Sequence, residues 1–282
     1  MMEIRETTTI ALDDYFQRIG YQGDRSPTLQ TLTAIHYCHT QAIAFENLSP
    51  LLRQPVLLDL NSLQNKLVYS ERGGYCYEQN LLFHSALTAL GFTVKGLAAR
   101  VLWGFPAGII RPRTHMVLLV TVQGKPYLAD VGFGGFTLTT PLAFEVDVEQ
   151  PTPHEPFRLV LSNQVYVMQV YVAQEWQSIY CFDLQEQHLP DYEVSNWYVS
   201  THPQSLLTNS LLAARPDPHC RYTLRDNQFK IYHLNGKIES QTLTTVKELG
   251  KVLTNEFRLT LPDHPDLENV LHQLVKSAAS DF

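Results

Sequence analysis

The sequence predicts an α+β protein: helices first, antiparallel strands next, and a smaller mixed α/β region to close the chain. Three observations predict it. Apolar residues recur at helical spacing through about the first ninety residues. From Phe92 to about Leu184 the pattern changes to short runs rich in Val, Leu, Tyr and Thr, parted by turn residues. Beyond Pro190, helix and hairpin signals mix without the regular β–α alternation of a doubly wound fold.

Each element has a local reason. Leu12, Tyr15, Phe16 and Ile19 fall on one helical face, and Gly20 stops them. Ser26-Pro27 predicts an N-cap followed by proline at the first helical position, with Leu29, Leu32, Ile35 and His39 or Ile43 as the stripe behind it. Asn61 is the expected cap of a short helix through Leu63 and Leu67. A further helix is expected over about 75–90, with Leu82, Phe83, Ala86, Leu87 and Leu90 inward and Gly91 closing it. The candidate strands are 93–103, 115–122, 126–133, 157–161, 164–172 and 178–184. A short helix near 192–199, a hairpin around Asn227 and Asn235-Gly236, and two amphipathic helices at about 244–257 and 265–277 complete the chain. There is no internal repeat and no low-complexity linker.

Composition narrows the function. With 282 residues, 44% of them hydrophobic, the chain can bury a substantial core in one large domain or two to three small ones. A net charge of -7 leaves no electrostatic footprint for nucleic acid and disfavours anionic membranes. The first fourteen residues lack the basic-then-apolar pattern of a signal peptide, and no apolar run approaches the ~20 residues that span a bilayer. A soluble, cytoplasmic protein is expected. Cys38, Cys76, Cys181 and Cys220 are widely spread with no CxxC pair, so reduced thiols are expected rather than a disulfide framework.

The strongest chemical signal is Arg72-Gly73-Gly74-Tyr75-Cys76-Tyr77-Glu78-Gln79-Asn80. Two glycines before a helix let the backbone turn sharply and let a ligand approach. Cys76 then falls in the first helical turn, where unpaired amides and the helix dipole favour an anion. The plainer reading is a small cysteine packed at a helix start. Thr114-His115-Met116 opens an apolar run whose return strand carries Asp130, and Gln123-Gly124 can make the two-residue turn between them. With that turn, pairing partners sum to 247 and His115 and Asp130 are diagonal neighbours on one face, with Cα atoms roughly 7–8 Å apart; a four-residue turn would keep the faces but move the two further apart. An aspartate among Tyr127, Leu128, Ala129 and Val131 needs a partner, because an unpaired buried charge is costly. A structural His–Asp pair would satisfy that need. Cysteine, histidine and aspartate together instead follow the logic of Cys-His-Asn/Asp enzymes: Asp130 orients the imidazole, His115 takes the thiol proton, and Cys76 attacks a carbonyl.

On these residues the sequence resembles the arylamine N-acetyltransferases. The match rests on 72–80, on Thr114-His115-Met116 and on Asp130-Val131-Gly132-Phe133-Gly134. Phe45-Glu46-Asn47-Leu48 upstream and Ser200-Thr201-His202-Pro203-Gln204-Ser205 downstream extend it, in the family's order, over essentially the whole chain. The resemblance implies a helical bundle (1–91) carrying the cysteine, a β-barrel (92–204) carrying the histidine and aspartate, and an α/β lid (205–282), around a papain-like core. It further implies ping-pong transfer: acetyl-CoA acetylates Cys76, and an arylamine, arylhydrazine or N-hydroxyarylamine takes the acetyl group. Phe45 and Phe133 match positions lining the family's acceptor pocket, and Gly134 matches the glycine beside the thioester channel. Gln79 stands where the family more often has an apolar residue. An amide synthase of the same fold and a cysteine hydrolase are the rival readings, with a non-catalytic binding protein as a third.

Other signals are weaker. His36, Cys38 and His39 invite a zinc reading, but on one helix position 38 points away from 36 and 39, and no second ligand cluster is evident; helix-face histidines and no metal are expected. Cys181 reads as core, and Asp217-Pro218-His219-Cys220 as a turn. Glu46 is expected either to hold a loop near the site or to sit in a buried pair.

Overall fold

The computed structural model describes residues 9–106 and 108–277. The first eight residues of the N-terminal segment read above lie outside it. The helical part contains α1 (Leu12–Ile19), α2 (Leu29–Ala42), the two-residue strand β1 (Phe45–Glu46), α3 (Leu48–Leu51) and α4 (Leu60–Leu63). A π-helical turn (Gln64–Tyr69) and α5 (Cys76–Ala89) follow. Helix α1 ends on Gly20, whose left-handed φ of 69° lets its N–H reach back to the last carbonyls.

Two expected caps are displaced. Ser26 does not cap α2, because its N–H and hydroxyl both turn to the Asp24 carboxylate. Thr28 caps instead, accepting the Thr31 N–H at 3.2 Å. The buried stripe accordingly starts at Leu32, and Leu29 is exposed. Asp59 rather than Asn61 caps α4, its carboxylate accepting the Ser62 N–H at 3.0 Å.

Next come β2 (Thr93–Val101), β3 (Arg113–Val122), β4 (Lys125–Ala129), β5 (Leu142–Ala143), β6 (Phe157–Ser162), β7 (Val165–Val172) and β8 (Glu175–Gln187). They form a curled antiparallel sheet in the order β5-β4-β3-β2-β8-β7-β6. The segment that follows the edge strand β5 meets the opposite edge strand β6 at isolated bridges, Val146 to Leu159 and Gln150 to Phe157, rather than in a continuous ladder. Gln123 and Gly124 both take left-handed φ (50° and 78°) and make the two-residue turn, with Val122 opposite Lys125 and Leu118 opposite Ala129. The expected register, with partners summing to 247, is the one found. The strand expected to run to Phe133 stops at Ala129, because side chains capture the following backbone N–H groups. Asp130 donates to His36, Val131 to Asn80, and Gly132 to the Asp130 carboxylate.

The remainder holds α6 (Leu189–Thr201), α7 (Leu206–Asn209), β9 (Leu212–Asp217), β10 (Cys220–Arg225), β11 (Gln228–His233), β12 (Ile238–Thr242), α8 (Val246–Asn255) and α9 (Leu267–Ser277). Strand β1, from the helical part, pairs with β9 and completes a second sheet, β1-β9-β10-β11-β12. Three apolar clusters hold the molecule together: helices against the outer side of β3, the interior of the curled sheet, and α8 and α9 under the second sheet. Successive β3 residues serve different clusters. Met116, Leu118 and Val120 pack on the helices, while Val117 packs inside the curl; His115 shares the Val117 side. Among the described residues, no helix is long and apolar enough to cross a membrane.

Candidate active site

Cys76 is the first residue of α5, and the turn before it is tightly built. A side chain at Gly73 would lie 2.2 Å from the Ala44 carbonyl, and one at Gly74 would lie 2.8 Å from the Glu78 carboxylate. The requirement at both is space rather than φ. The Glu46 N–H donates to the Gly74 carbonyl at 3.2 Å, stitching β1 to the turn. Glu78 accepts the Tyr75 N–H at 3.1 Å and Lys66 Nζ at 2.6 Å, closing the first turn of α5. Burial pushes the Glu78 carboxyl above its ordinary range, and Lys66 only partly offsets this. Buried Glu46 accepts Arg72 at 3.1 Å and the Leu48 N–H at 2.5 Å. Both expectations for Glu46 hold at once: it is a paired buried charge, and it fixes the loop beneath the cysteine.

The residues expected to act together do meet. His115 Nε2 lies 2.7 Å from Asp130 Oδ2, and the Cys76 thiol is close enough to the same imidazole to favour its charged form. With Nε2 engaged by the carboxylate, Nδ1 is left for the thiol. The thiol also lies 3.6 Å from the Thr114 carbonyl. Burial works against charge on His115, but the Asp130 carboxylate and the thiol outweigh it and push the imidazole up to about 10. Burial would raise Asp130, yet His115, Asn80 and the Gly132 N–H together hold it below its ordinary value. Exposure is graded: Asp130 is 0% exposed, His115 2% and Cys76 7%, so the nucleophile candidate is the member nearest solvent.

The pocket candidates gather around this set. Gly134 has a left-handed φ of 93°, and a side chain there would meet the Phe45 ring at 3.4 Å. The Phe133 ring stands edge-on to His115, centroids 5.2 Å apart, and Tyr180 lies 5.0 Å from the imidazole on another side. All six residues singled out in the sequence thus lie on β1, α5, β3 and the segment after β4.

Sequence reasoning missed four supporting residues. Asn80, one helical turn beyond Cys76, donates to the Met116 carbonyl (2.8 Å) and Asp130 Oδ1 (3.0 Å) and accepts the Val131 N–H. Its i+4 spacing from Cys76 was the available signal. Gly132 packs so closely that a side chain would lie 2.8 Å from Cys76 Cα. His36 and His39, expected on a helix face, are fully buried behind the site. Cys181 is half-buried beside Arg100 and Arg113 rather than in the core. Among the described residues, no group of three His, Cys, Asp or Glu side chains is placed to hold a metal ion.

A family model described as N-acetyltransferase matches residues 28–265. An arylamine N-acetyltransferase / N-hydroxyarylamine O-acetyltransferase of Salmonella typhimurium is 40% identical over 256 residues, covering 90% of this chain and 91% of the relative. The chain belongs to the arylamine N-acetyltransferase family. Among solved arylamine N-acetyltransferases, that of Mycobacterium smegmatis superposes with a TM-score of 0.91 at 38% identity, covering 95% of this chain and 99% of the other. That of Mycobacterium marinum in complex with CoA gives 0.90 at 38% identity, covering 93% and 99%. As an arylamine N-acetyltransferase family member, the chain belongs to a class of acyltransferases.

Proposed function

We propose that this protein transfers acetyl groups from acetyl-CoA to arylamines, arylhydrazines or N-hydroxyarylamines through a thioester on Cys76. The reading rests on one observation: the Asp130 carboxylate takes Nε2 of a buried imidazole whose charged form the nearby Cys76 thiol also favours. Asp130 keeps the Nε2 proton in place, so Nδ1 is the nitrogen that accepts the Cys76 proton. The thiolate attacks the acetyl thioester carbonyl, and first-turn amides of α5 face the developing oxyanion. The tetrahedral intermediate collapses, the CoA sulfur leaves, and His115 returns a proton to it. The amine then attacks the acetyl-cysteine, His115 takes the amine proton, and Cys76 departs as the thiolate. Phe45, Phe133 and Gly134 form the wall for a flat acceptor.

Residues 1–91, 92–204 and 205–282 are the three working parts of this reading, and the cytoplasm, where acetyl-CoA is made available, is its setting. Incubation with acetyl-CoA adds one acetyl group to Cys76, located by intact-mass and peptide mass spectrometry. Folded protein that acquires no adduct would sink the proposal. Initial-rate plots against both substrates should be parallel; intersecting lines would exclude the two-step route. Thioester decay that an aromatic amine fails to accelerate would turn the reading toward a hydrolase.

A further inference from the structure

We propose that His36 and His39 are positioning residues that hold the two halves of the catalytic set in register, His36 by gripping the Asp130 backbone and His39 by fixing, through Gln79, the turn that presents Cys76. The inference rests on the reading of Cys76, His115 and Asp130 given above, which does not use these two histidines.

The spacing i, i+3 places both imidazoles on one face of α2. Both are 0% exposed, and both meet the Phe83 ring edge-on, with centroids 5.6 and 5.4 Å away. Their protonation follows from their partners. The Asp130 N–H donates to His36 Nε2 at 3.2 Å, so that nitrogen carries no proton and Nδ1 does. Gln79 Nε2 faces the carbonyls of Ile43 (3.2 Å), Ala44 (2.9 Å) and Gly74 (3.2 Å), which fixes its amide as the donor end. Gln79 Oε1 must then accept from His39 Nε2 at 2.7 Å, and Tyr15 donates its hydroxyl proton to His39 Nδ1 at 2.8 Å. The chain of bonds therefore runs in one direction: Tyr15, His39, Gln79, then three carbonyls. Two of those carbonyls flank function, since Gly74 lies two residues before Cys76 and Ala44 immediately precedes Phe45.

Charge would break the His36 contact and reverse the Tyr15–His39 bond. A protonated His36 could no longer accept the Asp130 N–H. Burial pushes His36 down to about 3 and His39 down to about 4, so both stay neutral wherever the enzyme works. An apolar side chain at 36 would pack equally well on Phe83 and leave the Asp130 N–H without its acceptor. The sequence departure at Gln79 is explained in the same terms: an apolar residue there would strand the His39 N–H and remove the Gln79 donor from the Ile43, Ala44 and Gly74 carbonyls.

Glutamine and asparagine separate positioning from packing. At either position glutamine sets an amide group where Nε2 sits, whereas asparagine reaches only the place of Nδ1. The measurement is the rate of Cys76 alkylation by iodoacetamide across a pH series, alongside the thermal midpoint and, with acetyl-CoA and an arylamine, the separate kcat and KM. For His36→Asn and His39→Asn, alkylation near neutral pH should fall by about tenfold or more, as a misplacement near 1 Å would cause. The alkylation profile should also move to higher pH, and kcat should fall while KM for the amine holds. His36→Gln and His39→Gln should recover the profile. Asparagine variants that alkylate like the parent protein would overturn the proposal. So would glutamine and asparagine variants that lose rate alike and only in step with the melting point. Because alkylation needs no acetyl donor, failure of the parent protein to accept acetyl would count against the functional reading and leave this comparison decisive.

Discussion

In Asp130→Asn the surrounding donors dictate the outcome. Oδ1 of Asp130 receives two N–H groups, from Asn80 at 3.0 Å and Gly132 at 2.9 Å, while Oδ2 faces His115 Nε2 at 2.7 Å. The asparagine must keep its oxygen toward the two donors, so its NH2 turns to the imidazole. Nε2 must then accept, the ring proton moves to Nδ1, and the nitrogen facing Cys76 can no longer take the thiol proton. The carboxylate that helps to push His115 up to about 10 is lost at the same stroke. Such a wrong-tautomer lesion slows acetylation by about 10³–10⁴-fold, or roughly 4–5.5 kcal/mol of barrier. Shape and packing are unchanged, so the protein should stay folded by circular dichroism. Single-turnover acetylation, quenched and read by intact mass, measures the effect. A rate within about tenfold of the parent protein would refute the argument that Asn80 and Gly132 fix the tautomer.

Three further outcomes follow from the site. Gly132→Ala puts a methyl group 2.8 Å from Cys76 Cα and 2.9 Å from Asn80 Nδ2. It should cost about 1–3 kcal/mol of stability and about 10²-fold in acetylation rate; an unchanged melting point and rate would show that the two backbones part freely. Arg72→Met leaves the fully buried Glu46 with the Leu48 N–H and a more distant cation, Lys66 at 3.8 Å, and should cost about 3–5 kcal/mol, measured by denaturant unfolding. His115 gives a signed pH effect: its folded pKa of about 10 lies above its ordinary 6.5, so its contribution to stability is full below about 6.5 and is lost as pH rises toward about 10. His115→Gln should flatten that alkaline limb of the melting profile, and a limb of unchanged slope would reassign the titration.

Much of the site could be read from the sequence because short-range rules govern it. The Gly-Gly turn places Cys76 at a helix start, and the two-residue turn at Gln123-Gly124 sets the register that brings His115 to Asp130. What escaped depends on partners distant in the chain. His36 meets the Asp130 N–H across 94 positions, and no periodicity marks a side chain whose partner is backbone. Strand β1 has two residues, too few to alternate, and is a strand only because β9 lies beside it. The α2 cap was misread because Asp24 claims the Ser26 hydroxyl, a competition between neighbours that residue preferences do not rank.

Pairing of Phe45 with Ala214 and Glu46 with Ala213 also sets an order of events during synthesis. At ribosomal speeds of about 5–20 residues per second, roughly 10–30 s separate the emergence of the two strands. Through that interval the helices around Cys76 can collapse, but the backbone edge of Phe45 has no partner, so the wall proposed for the acceptor stays unfinished. Chain fragments ending before β9 would therefore carry Cys76 without the pocket proposed to restrain its choice of acceptor. Such non-local closure belongs to the slow, late part of folding, and it makes acceptor selectivity a property of the finished chain alone.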